Sequence, residues 1–267
     1  MVKKYYFFFI ALFALGLFSL LTSNLAEAQV SFAKRPVWRQ EFSSLGKRPL
    51  ENWGVFKGKY SFEDQYYTDS IGNVYLQNGK LHIKATPDRR EDKVCSSGRV
   101  TTKGFQTFLY GKLEIRAKVP TGRGIFPAIW MLREDHGTMF PLGEIDIMEY
   151  IECFEGKQYS TTTHIVEKEP GKKEIRHKHS KRVYTDISKY HIYGLEWTPT
   201  RLRFLLDRAV VYQIEKDEAE FWPFDDPYIL ILNVAYGSWG AECGKDDTIF
   251  PVEMLVDWIR YYPIKYD

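Results

Sequence analysis

The sequence predicts an all-β fold, a sandwich of two antiparallel sheets, and three observations carry that expectation. Short segments in which apolar and polar residues alternate follow one another along most of the chain. They run on without a long amphipathic helix between them. Within VYLQNGKLHIKA (74–85), Asn78-Gly79 separates two alternating runs, the strongest short hairpin signal. Many short strands without intervening helices pack as two sheets. About 240 residues is an ordinary size for one such domain.

Taken in order, the first segment stands outside the fold. Lys3 and Lys4 precede an apolar run, Tyr5 to Leu21, and Ala26-Glu27-Ala28 is a small-x-small cleavage signal. This reads as a secretory signal peptide, residues 1–28, followed by one domain over 29–267. Without a cysteine near the cleavage point a lipoprotein is not expected, so the mature chain is assigned to the exterior or the periplasm, off the membrane.

After the hairpin, YGKLEIRAKV (110–119) places Leu113, Ile115, Ala117 and Val119 on one face and Lys112, Glu114, Arg116 and Lys118 on the other. GEIDIMEY (143–150) reads as a further strand. The segment 167–182 is polar and strongly basic and contains Pro170-Gly171, a long surface loop or an exposed hairpin. Three strands follow between 192 and 215, and EKDEAEFW (215–222) has room for one or two helical turns. YILILNVAYG (228–237) is apolar on both faces, as a strand covered on both sides would be, and EMLVDWIRYY (253–262) closes the chain.

The formal net charge of +2 gives no field that would point to nucleic acid. The 16% aromatic content suits a β-rich core and sugar rings alike. Cys95, Cys153 and Cys243 are an odd number, so at most one disulfide forms, and no Cys/His metal cluster is present in the sequence.

The chemistry sits in residues 143–150. Glu144 and Asp146 share a strand face, and Glu149 falls on the other one. One β-bulge adds a residue and returns Glu149 to the face of the first two. Three carboxylates in a row repel one another and raise at least one pKa. A retaining glycosidase needs that arrangement, with one ionised carboxylate to attack the anomeric carbon and one protonated group, about 5–5.5 Å away, to protonate the leaving oxygen. From spacing alone, a solvated acidic strand or a Ca²⁺ site accounts for the triplet as well.

Gly143-Glu144-Ile145-Asp146-Ile147-Met148-Glu149 resembles the bulged E-x-D-x-x-E signature of glycoside hydrolase family 16, laminarinase-like subgroup. Other blocks appear in the family's order: Trp38 with Glu41-Phe42, Tyr110-Gly111 through Pro120, Pro127 to Leu132, Glu196-Trp197-Thr198-Pro199, Leu232 to Ala235, Trp239, Phe250-Pro251 and Val256 to Tyr262. The resemblance implies a concanavalin A-like β-jelly roll with a substrate cleft on its concave face. It implies Glu144 as nucleophile, Asp146 as assisting carboxylate and Glu149 as general acid/base. Trp130 and Trp239 are candidate sugar platforms, Arg99, Arg116 and His164 candidate cleft residues. Glu41 and Asp257 match positions that hold a structural Ca²⁺, and catalysis itself needs no cofactor. Phe126 and Phe140 stand where laminarinase-type members often have Trp, and the loop after Tyr236 carries Cys243 and a KDD run, which bears on subsites rather than chemistry.

The expected activity is endo-hydrolysis of β-1,3 or mixed β-1,3/1,4-glucan by a monomer whose partner is the polysaccharide. An algal galactan (agarose, carrageenan or porphyran) hydrolase, favoured by the basic 167–182 segment, and a transglycosylase are alternatives on the same scaffold. A non-catalytic lectin is the alternative from another class.

Overall fold

In a computed structural model of the chain, the described residues are 30–134, 142–153, 156–168 and 173–266. The proposed signal peptide, Phe140 and Pro170-Gly171 lie outside them. Two large antiparallel sheets dominate. Across the first sheet the order is Ile175–Tyr184, Gln158–Glu167, Leu142–Glu149, Ile125–Arg133, Tyr228–Tyr236, Arg99–Thr101 and Gly54–Val55. Across the second it is Ala209–Glu215, Arg201–Leu206, His191–Thr198, Gly111–Lys118, Val252–Tyr262, Lys80–Ala85 and Val74–Gln77, with Trp38–Gln40 added against Val252–Tyr262.

Alternation decides which face is buried. Ile115, Leu195 and Trp197 from the second sheet meet Ile129, Met131, Ile145, Tyr159 and Leu230 from the first in one core. Trp197 is fully buried and its indole N–H donates to the Phe224 carbonyl at 2.9 Å, so the ring is desolvated without an orphaned donor. Tyr228–Tyr236 is buried at every position. Its even residues join the core, while Ile229 and Ile231 pack with Leu132 and Trp130 on the opposite face. The hairpin turn at Asn78-Gly79 has positive φ at both residues (51° and 69°), the geometry that Asn-Gly favours.

Residues 215–222 form only a short 3₁₀ turn, Lys216–Glu218. The basic segment is the hairpin of the two expected forms: Ile175–Tyr184 pairs along ten residues with Gln158–Glu167 and becomes the edge of the first sheet. Cys153 and Cys243 form a disulfide, Cα–Cα 5.4 Å, and Cys95 is buried as a free thiol.

Candidate active site

The candidate site lies on the face of the first sheet turned away from the core. Ile145, Ile147 and Met148 of Leu142–Glu149 all belong to the core. Two consecutive core residues require an irregularity, and the pairing supplies it. Ile129 faces Met148 while Trp130 faces Asp146, so Ile147 is the extra residue of a bulge. A matching shift lies between Asp146 and Glu149 against the neighbouring strand. Glu144, Asp146 and Glu149 therefore share the face turned away from the core, where the substrate cleft is expected. Gly143, just before them, is required by space, since a Cβ there would collide with Tyr228 Oη and lie 2.7 Å from Pro223.

Cross-strand register extends each carboxylate into a row. Glu144 lies between Leu132 and His164, Asp146 between Trp130 and Thr162, Glu149 between Ala128 and Ser160. Asp146 is 1% exposed, and its Oδ2 has no hydrogen-bond partner among the described residues. His164 Nε2 lies 3.5 Å from that oxygen.

Burial is the largest influence on all three acids and raises each pKa. For Asp146 the negative charges of Glu149 and Glu144 add to it, holding the group well above the carboxylate range. An unpartnered buried oxygen is tolerable on a neutral acid and expensive on an anion. Asp146 therefore keeps its proton and donates to Glu144. That hydrogen bond and the Arg99 charge oppose the effect of burial on Glu144 and favour its ionised form. Glu149 is pushed up to about 7, by burial first and by the Glu144 charge second, with Lys178 and a hydrogen bond from Thr162 pulling the other way. Burial and the Lys178 and Arg176 charges lower the His164 pKa, keeping the ring neutral. One ionised and one protonated glutamate on a common face can attack an electrophilic carbon and protonate a leaving oxygen.

On the other flank the floor becomes aromatic. The Arg99 guanidinium lies 4.8 Å above the Trp130 ring, and Trp130 Nε1 donates to Asn233 Oδ1 at 2.7 Å. Trp130 is thus half-buried and fixed. Trp239 is 59% exposed on a 3₁₀ turn, edge-on to Phe62 at 5.5 Å and tilted against Phe126 at 6.2 Å. Tyr60 stacks between Phe56 and Phe62. Phe56, Tyr60 and Phe62 were not legible as site residues, because a lone aromatic in a loop reads equally well as core. The disulfide ties the loop bearing Trp239 to the segment after the carboxylate strand.

Arg116 does not reach this face. It lies on the outer side of the second sheet, over the Tyr190 ring and ion-paired with Asp257, because its strand turns Leu113, Ile115 and Ala117 inward. Glu41 and Asp257 also depart from expectation. Glu41 accepts two hydrogen bonds from Arg260, at 3.0 and 3.1 Å, and Asp257 is held by Arg116 and lies 3.8 Å from Lys80. Cations already satisfy both carboxylates, and a Ca²⁺ shell of six to eight oxygens does not fit there. Among the described residues, the metal-like grouping of side chains is Glu144, Asp146 and His164, which is the cleft cluster itself.

Known proteins share this architecture. The model of a family described as glycosyl hydrolases family 16 matches residues 62–260. A β-glucanase of Rhodothermus marinus is 35% identical over 247 residues, covering 85% of this chain and 84% of that protein. The X-ray structure of the laminarinase from Rhodothermus marinus superimposes with a TM-score of 0.76 at 33% identity, covering 88% of this chain and 99% of that one. A keratan-sulfate endo-1,4-β-galactosidase of Sphingobacterium multivorum is 29% identical over 85% of this chain and 55% of its own length.

Proposed function

The chain belongs to glycosyl hydrolase family 16, and from that premise we propose a secreted, retaining endo-β-glucanase that cleaves β-1,3 or mixed β-1,3/1,4-glucan. It is a glycoside hydrolase of the endo-β-glucanase type. The observation that carries the mechanism is the bulge at Ile147, which brings three carboxylates to one cleft face.

Glu144 attacks the anomeric carbon while Glu149 protonates the glycosidic oxygen. The bond to the leaving chain breaks, and a glycosyl ester to Glu144 forms. Asp146, carrying its own proton, stabilises Glu144 as an anion before attack and as a leaving group afterwards. Glu149, now ionised, takes a proton from water, which attacks the ester and restores the β configuration. Carboxylates and water suffice, so no cofactor enters. Arg99 and Trp130 position the sugar at the floor, and Trp239 offers an exposed platform. Residues 1–28 act as a cleaved export signal and 29–267 as the catalytic domain, working as a monomer. N-terminal sequencing of exported protein would check the cut after Ala28.

One observation favours a second reading, an endo-β-galactosidase on a sulfated chain. The basic residues 175–182 lie in the cleft sheet, and a keratan-sulfate endo-1,4-β-galactosidase is among the relatives. Product analysis on laminarin, mixed-linkage glucan, keratan sulfate, agarose and carrageenan separates the two. Internal cleavage of the glucans, lost in Glu144→Gln, is the expected result. Cleavage confined to the galactose polymers would replace the glucan assignment.

A further inference from the structure

The edge of the cleft sheet carries a charge pattern that hydrolysis of a neutral chain leaves unused. In Ile175–Tyr184 the odd residues turn inward: Val183 is in the core, and His177 packs against Phe221. The even residues Arg176, Lys178, Ser180 and Arg182 therefore take the cleft face. Register aligns Lys178 with His164 and Glu144, Ser180 with Thr162 and Asp146, and Arg182 with Ser160 and Glu149. Two of the three carboxylate rows thus end in a cation two strands away, roughly 10 Å at ordinary strand spacing. The cleft-face residues between are Ser160, Thr162, His164 and Val166, with no acid among them. Glu174 touches Arg176 Nη2 at 2.9 Å at an exposed position, and Lys178 has no ion pair among the described residues.

We propose that Arg176, Lys178 and Arg182 line a strip that takes anionic substituents, sulfate esters or uronate carboxylates, carried by successive units of the polysaccharide around the scissile bond. This deepens the proposed function and rests on its assignment of the cleft. Both anions are flat or tetrahedral oxygen clusters that a guanidinium grips through two parallel hydrogen bonds. Lys178 and Arg176 already exert their charge on the cluster, lowering the His164 pKa. Lysines also protect sheet edges from pairing with other chains, but that role needs no arginines directed into a cleft. The inward face of the same strand carries one lysine, Lys181, with His177 and His179.

The test measures hydrolysis, and retention in affinity gels, on neutral, partially sulfated and carboxymethylated laminarin. Retention uses Glu144→Gln so that the chains stay intact. The native enzyme should favour an anionic chain in kcat/KM by roughly tenfold at low salt, less at about 0.5 M salt. Arg176→Ser/Arg182→Ser should bring that preference to within about twofold, while Lys181→Ser keeps it. The sulfated and carboxymethylated arms tell which anion is read. Equal rates and retention on all three chains, or a preference that the double variant keeps, would overturn the strip and leave the glucanase assignment standing. Retention of anionic chains that the double variant loses, with no glucan cleaved, would overturn the glucanase assignment and keep the strip.

Discussion

At the scale of single residues, the site depends on giving different proton affinities to three neighbouring acids. Glu149 ordinarily titrates near 4.5 and is pushed up to about 7 in the fold. Two outcomes follow. As the proposed general acid it should impose an alkaline limb on kcat/KM with a midpoint near 7. Stability should change over the same interval. Between about 4.5 and 7 the folded protein holds a proton that the unfolded chain has released, so raising the pH through this window destabilises the fold, with the full penalty above 7. Glu149→Gln removes that penalty. Its Tm should exceed that of the native protein at pH 8 and approach it at pH 4. An equal difference at both pH values would contradict the assignment.

At the scale of elements, the carboxylate strand and the loop facing it are held by different means. Gly143 has no room for a Cβ beside Tyr228 and Pro223. Gly143→Ala should shift the strand and lower both stability and kcat, the former by roughly 1–3 kcal/mol in denaturant titrations. The loop carrying Trp239 is tied down by Cys153–Cys243, which closes a chain segment of 90 residues. Cys153→Ser/Cys243→Ser should cost about 2–5 kcal/mol and raise KM more than it lowers kcat, since the loop carries Trp239, the proposed sugar platform. Elements with strict period-two alternation, such as Gly111–Lys118 and the Asn78-Gly79 hairpin, were legible because one face of each must be buried. So was the bulge, because three acids could share a face in no other way. The role of Ile175–Tyr184 was not. Its polarity suits a solvated hairpin as well as an edge strand, and only pairing with Gln158–Glu167 turns its even residues to the face that carries the carboxylates.

At the scale of the whole molecule, one sheet carries the proposed catalytic carboxylates and the other backs it across the core. Arg116 shows how this separation escapes a sequence reading. Its neighbours alternate correctly, but alternation does not say which sheet a strand joins. The same separation places Glu41 and Asp257 in guanidinium pairs remote from the carboxylate triplet. Activity and Tm should therefore be unchanged by EDTA, and a fall in Tm restored by Ca²⁺ would contradict that pairing. The supporting core is sensitive at its largest buried ring, and Trp197→Ala should cost about 3–5 kcal/mol, read by denaturant titration.

The proposed mechanism stands on a covalent glycosyl ester that Glu144 forms from the bulged strand. The most direct test is peptide mass spectrometry after reaction with an activated 2-fluoro-laminaribioside, a slow substrate that traps such an ester. One added glycosyl mass is expected on the peptide containing Glu144, absent in Glu144→Gln. A label on Glu149 or elsewhere, or rapid turnover to an inverted α-product without any adduct, would contradict it.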